Sequence, residues 1–271
     1  MTKIPFYKAH GAGNDFLISW AEDVPPHGRA DLARAICARH TGVGADGWYV
    51  VERPGGGVDA RIHLYNSDGS EAELSGNGTR CVAAVLCRLG LAGEEIRIET
   101  GAGLRTLRLL GHSGETFRFE MAMGEPVIRE EDVDAELPLA GGLCRATILD
   151  VGNPQCAVFV DRFPDDWPEI GAEIERHPRF PHRTNVSFVR VIGRHALDAR
   201  FFERGAGATL SSGTGAVGAA VAAIVRGEAE SPVTVRTPAG ELDVRWDGEV
   251  YLTGPAAVIA SGEFFYREGG G

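Results

Sequence analysis

Apolar residues along this chain fall into two kinds of helical pattern. Residues 77–89 (with Cys81, Val82, Val85, Leu86 and Leu89) and residues 214–225 are apolar nearly all round, which predicts two buried helices. Residues 29–40 instead place Leu32, Ala33, Ile36 and Cys37 on one face, predicting an amphipathic helix, and 164–176 repeat that pattern more weakly. Elsewhere apolar and polar residues alternate over short runs. Met1 to His10 reads as a strand, and the runs at 96–109 (IRIETGAGLRTLRL) and 233–246 (VTVRTPAGELDVRW) each read as strand, turn, strand.

The pattern repeats itself. YNSDGSEAELSGNGTRCVAA at 65–84 and FFERGAGATLSSGTGAVGAA at 201–220 both run from an aromatic-ended strand through a Gly-rich loop into S-G-x-G and an Ala-rich helix. Ser75 to Ser212 is a step of 137 residues, and so is Thr100 to Thr237. Gly13-Asn14-Asp15-Phe16 and Gly152-Asn153-Pro154-Gln155 make a third matched pair, in the same order. A duplicated unit follows, with 122–145, rich in Glu, Pro and Gly, as the linker. The predicted fold is α+β: two pseudo-symmetric domains, 1–122 and 123–271, each a curled, mainly antiparallel sheet around a buried central helix. The last strand of the second has the option of packing back on the first.

Composition narrows the function. A 44% hydrophobic chain of 271 residues suits a globular protein, and a net charge of -11 argues against nucleic acid or an anionic membrane as partner. The longest apolar run, Ala216 to Val225, is too short to span a bilayer, and no charged-then-apolar leader opens the chain. Five cysteines (Cys37, Cys81, Cys87, Cys144, Cys156) without CxxC spacing read as reduced, mostly buried thiols of a cytoplasmic protein. No His cluster has metal-ligand spacing, so no metal is expected. Lys3 and Lys8 are the only lysines, both on the opening strand, which leaves few candidates for a pyridoxal Schiff base. Gly42-Val43-Gly44-Ala45-Asp46-Gly47 matches G-x-G-x-x-G, but it follows a helix and precedes a strand, the reverse of dinucleotide binding, and is read as a turn.

What remains is a small polar metabolite held at the two Gly-rich helix starts, Ser75-Gly76-Asn77-Gly78 and Ser212-Gly213-Thr214-Gly215. Glycine admits a ligand to bare backbone, and unpaired N–H groups at a helix start attract an anion. One such loop alone reads as an N-cap with Ser75 or Ser212 as the capping hydroxyl. Two matched loops point to a shared carboxylate site.

HGAGNDF at 10–16, GVGADG at 42–47, NSDGSEAELSGNGTRC at 66–81, GNP at 152–154, TNV at 184–186, FERGAGAT at 202–209 and SGTGA at 212–216 together resemble the diaminopimelate epimerase signature, in family order along nearly the whole chain. The resemblance implies interconversion of LL- and meso-diaminopimelate without a cofactor, for lysine and peptidoglycan precursors, in a homodimer. It implies two cysteines on opposite sides of the substrate Cα, one a thiolate base and one a thiol acid, at the positions held here by Ser75 and Ser212. It further implies substrate contacts by Asn14, Asn66, Asn153, Asn185 and Arg204. Backbone groups of Gly76, Asn77, Gly213 and Thr214 would hold the reacting carboxylate, and Glu203 would assist at the reacting centre.

The departures are specific. Both cysteines are serine, and the family's usual His after Gly-Asn-Pro is Gln155. An unionised hydroxyl is a far poorer base than a thiolate, and without an adjacent general base it is nearly inert. A designed double Cys→Ser exchange accounts for the serines but not for Gln155; natural divergence accounts for all three. Three functions stay open: the family epimerisation, isomerisation of another amino acid, and a catalytically silent amino-acid binder.

Overall fold

A computed structural model describes residues 2–53 and 55–267. They fall into two units. One takes the chain up to Met121 together with the residues from Gly254 on; the other runs from Ala122 to Thr253.

The first unit contains β1 (Thr2–Gly11), β2 (Asn14–Trp20), α1 (Arg29–Cys37), β3 (Gly47–Glu52), β4 (Ala60–Asn66), β5 (Glu71–Ala72), α2 (Gly76–Arg88), β6 (Glu95–Thr100), β7 (Gly103–Ser113) and most of β8 (Thr116–Gly124). β1 pairs antiparallel with β2, β2 parallel with β3, and β3 antiparallel with β4. β4 then pairs parallel with β6, and β6 to β7 to β8 is an antiparallel meander.

The second unit contains β9 (Val127–Ile128), β10 (Ala135–Leu139), β11 (Gly142–Asp150), β12 (Pro154–Phe159), α3 (Trp167–Glu175), β13 (Asn185–Gly193), β14 (Ala196–Glu203), β15 (Gly207–Thr209), α4 (Gly213–Val225), β16 (Val233–Thr237), β17 (Gly240–Asp247) and the opening of β18 (Glu249–Tyr266). Its pairings repeat those of the first strand for strand. β11–β12 is antiparallel, β12–β13 parallel, β13–β14 antiparallel, β14–β16 parallel, and β16–β17–β18 antiparallel. The duplication seen in the sequence is therefore a duplication of topology.

Each unit is layered around its sheet by side-chain alternation. In β3, Trp48 and Val50 point one way, into a core with Leu32, Ala33, Ile36 and Cys37 of α1. Tyr49, between them, points the other way, to α2. In β13, Val186 and Phe188 join Ile174 of α3 in the matching core, while Ser187 between them donates to the Gly215 carbonyl of α4. The helices predicted to be apolar all round are the buried ones: every residue from Gly76 to Leu86 is buried, as is most of α4. Each such Val or Leu contributes about 1.5–3 kcal/mol.

One expectation changes. The stretch 122–145, read as a linker, holds β9, β10 and the start of β11, because Leu137 and Ala146 are buried against the α3 core. The residues from Gly254 onward group with the first unit. They continue β18 out of the second unit to pair antiparallel with β1, from His10↔Ala257 to Thr2↔Tyr266, covering what would be an open edge. Among the described residues no helix is long and apolar enough to cross a membrane.

Candidate active site

Both serines are N-caps. Ser75, extended at φ -130° and ψ 120°, accepts from the Gly78 N–H at 3.2 Å, and Ser212, at φ -136° and ψ 125°, accepts from the Gly215 N–H at 3.1 Å. The last glycine of each S-G-x-G has a packing reason as well. A Cβ on Gly78 would stand 2.3 Å from the Tyr49 hydroxyl oxygen, and one on Gly215 would stand 2.6 Å from Cδ1 of Phe201. Gly76 is different, since a Cβ there meets nothing nearer than Met121 Cε at 3.6 Å.

In the first unit the amides of the start of α2 join a polar chain. The buried Arg80 donates to Asn77 Oδ1 (2.5 Å), Asn77 Nδ2 to Asn14 Oδ1 (3.4 Å), and Asn14 Nδ2 to Asp46 Oδ2 (2.7 Å). Arg39 bridges Asp46 to Asp15, which also pairs with Lys8. No carboxylate pairs with Arg80 among the described residues, and burial pulls its guanidinium down to about 10. Asn66, at the end of β4, is engaged with Ser70 Oγ at 3.0 Å.

The second unit makes the same contact between corresponding residues with the donor reversed: Asn153 Nδ2 donates to Thr214 Oγ1 at 3.3 Å. Gln155, buried, donates to Asn153 Oδ1 at 2.7 Å, and its own Oε1 has no partner among the described residues. Asn185 donates to the Pro154 carbonyl at 3.1 Å and accepts the Arg204 backbone N–H at 3.0 Å, so it fixes the chain direction at Arg204. The Arg204 side chain is exposed, donating to the His182 carbonyl at 3.3 Å.

The halves differ at the hydroxyls. Ser212 Oγ donates to Glu203 Oε1 at 2.7 Å, and Thr209 Oγ1 donates to Glu203 Oε2 at 2.8 Å. Loss of hydration raises the Glu203 carboxyl above the ordinary carboxylate range, against the lowering effect of those two hydroxyl donors. A hydrogen-bonded Ser–Glu pair with a raised carboxyl is a general-base arrangement. The place of Glu203 in the first unit, one step of 137 earlier, belongs to Asn66, which does not titrate. None of the five thiols is set up to ionise readily. Burial pushes Cys37 and Cys81 up to about 12 and Cys87 up to about 11, and it raises Cys144 and Cys156 as well.

Thr209, Arg80 and Tyr49 were not singled out in the sequence. Thr209 stands inside the FERGAGAT motif, so its place in the β14–β15 hairpin opposite Phe201 was the available signal. Tyr49 carried none, because an aromatic residue in an apolar strand reads as core.

Known proteins agree with this architecture. A family model described as diaminopimelate epimerase matches residues 6–129 and 147–259. A diaminopimelate epimerase of Moorella thermoacetica is 39% identical, covering 96% of this chain and 98% of its own. Another, of Pelotomaculum thermopropionicum, is 40% identical over 97% of this chain and 99% of its own. Among solved structures, a hydroxyproline epimerase from Agrobacterium vitis shares the fold, with TM-score 0.74 at 17% identity over 96% of this chain and 92% of that one. With matched motifs, a family model spanning both units and full-length relatives near this identity, the chain belongs to the diaminopimelate epimerase family.

Proposed function

We propose that the protein is a slow, cofactor-independent isomerase that moves the proton at Cα of diaminopimelate from one face to the other. The observation that carries this reading is the Ser212 hydroxyl donating at 2.7 Å to Glu203, whose carboxyl is raised toward the working range of a base. Ser212 Oγ takes the Cα proton as its own proton passes to Glu203, so one C–H bond and one O–H bond break while two O–H bonds form. Ser75 supplies its proton to the opposite face. Backbone N–H groups of Gly76, Asn77, Gly213 and Thr214 hold the reacting carboxylate, where charge builds as the proton leaves. Asn14, Asn66, Asn153 and Asn185 contact the substrate, and Arg204 takes the distal carboxylate. Gln155 stands at a position usually held by His, so it orients Asn153 without titrating. The reaction is slow because neither hydroxyl ionises as a thiol does. The protein works as a cytoplasmic homodimer on a small amino acid.

Incubation with LL-diaminopimelate in deuterated water, with mass analysis, tests the reading. Exchange at Cα by the protein as it stands is expected to be weak, to rise strongly in S75C/S212C, and to rise little in either single variant. Thermal stabilisation by diaminopimelate with no exchange even in the double variant would replace this reading with that of a binder. The absence of a titrating partner for Ser75 at the Asn66 position favours that alternative.

A further inference from the structure

Tyr49 is 1% exposed, and its hydroxyl has no hydrogen-bond partner among the described residues. A buried phenol left unsatisfied asks for a reason. Its tip lies against Cα of Gly78, in the space a Cβ would fill, within reach of the Ser75 and Thr79 side chains. Thr79 Oγ1 donates to the Ser75 carbonyl at 2.8 Å and Ser75 Oγ accepts from the Gly78 N–H at 3.2 Å, which leaves each hydroxyl oxygen a lone pair for a further donor.

The second unit shows what the first has exchanged. β2 pairs with β3 at Phe16↔Gly47, and β12 pairs with β13 at Gln155↔Asn185; two residues further along lie Tyr49 and Ser187. Ser187 spends its hydroxyl on the Gly215 carbonyl, and Ser212 has Glu203. Ser75 has Asn66 in the place of Glu203 and a phenol beneath it.

We propose that Tyr49 is a positioning residue for Ser75: its O–H donates to Ser75 Oγ as that oxygen loses its proton, holding the developing alkoxide together with the Gly78 N–H. This rests on the proposed reaction, in which Ser75 gives its proton to Cα. The Ser75 O–H bond breaks, a C–H bond forms, and the negative charge left on Oγ is met by two donors already in place. Tyr49 keeps its own proton throughout. Burial raises its phenol well above the ordinary value, which keeps it a neutral donor. Its titrating neighbour on α2, Cys81, is buried with it.

The test uses Tyr49→Phe, which keeps the ring and removes only a hydroxyl that makes no bond, so the urea midpoint should not fall. In S75C, the alkylation rate of the new thiol is followed against pH by mass analysis of its peptide. Adding Y49F should raise that thiol pKa by about one unit, since a donor to the charged form is lost. With serine in place, Y49F should lower kcat for Cα exchange by about 100-fold, with KM unchanged. A thiol pKa that does not move, or an exchange rate unaffected by Y49F, overturns the assignment. A raised thiol pKa with no exchange in the unmodified protein supports the hydrogen bond and removes the proposed reaction instead.

Discussion

Ser75 and Ser212 look interchangeable in sequence, and replacing each by alanine should separate them. Either change removes an N-cap, a loss of about 1 kcal/mol. Ser212→Ala also strips Glu203 of one of its two hydroxyl donors, the 2.7 Å bond to Oε1. A hydrogen bond to a charged group contributes about 1.5–3 kcal/mol, so S212A should cost about 2.5–4 kcal/mol at pH 8, against about 1 for S75A. The difference depends on pH. Glu203 has a folded-state pKa raised by desolvation, so the native state holds its proton more tightly than the unfolded chain. That contribution is fully present below the unfolded carboxyl value and is lost as pH rises through the folded one. Removing the Ser212 donor raises the folded value further. The cost of S212A should therefore grow with pH and shrink toward that of S75A near pH 4.5, the ordinary Glu value. Urea melts of the parent and both variants at several pH values measure this. Equal costs for the two serines at pH 8, or a cost of S212A that does not change with pH, would refute the Ser–Glu coupling.

Glu203→Gln should flatten the same pH profile and leave the protein no less stable at pH 8, because the amide oxygen still accepts from Ser212 and no charge is desolvated; a steeper profile in urea melts would contradict it. Arg204→Ala should leave stability within about 0.5 kcal/mol, the side chain being exposed. It should weaken diaminopimelate binding by about 2–5 kcal/mol in calorimetry if the guanidinium is desolvated on the distal carboxylate. Gly78→Ala should destabilise, since its Cβ would lie 2.3 Å from the Tyr49 oxygen and 2.4 Å from Cε2. That overpacking costs about 1–3 kcal/mol. It exceeds the up to about 1 kcal/mol that alanine gains in a helix, and a thermal melt at or above that of the parent would show that the ring gives way.

Much of this protein was legible along the chain. The apolar faces of 77–89, 214–225 and 29–40, and more weakly 164–176, marked the four α-helices of the described residues, because a helix shows its environment in the spacing of its own neighbours. The step of 137 between matched segments announced the duplication, and Ser75 and Ser212 declared themselves as helix starts through the glycines behind them. Those glycines were given one reason, access for a ligand, where Gly78 and Gly215 have another in the aromatic rings packed against them. The stretch 122–145 misled because its Glu, Pro and Gly content resembles a linker, while Leu137 is what anchors it.

Sequence alone determined the repeat, the buried helices and the positions of the two hydroxyls, all of which are set by local periodicity. Only tertiary structure decided what each hydroxyl meets. The β14–β15 turn folds Glu203 back onto Ser212, nine residues further along. The register of β3 turns Tyr49, rather than Trp48 or Val50, toward α2 and Ser75. Periodicity is a property of neighbours in the chain, but which oxygen stands beside which carboxyl or phenol depends on strand register. A slip of one residue in β3 would exchange Tyr49 for a valine or a tryptophan and leave the pattern of the sequence unchanged.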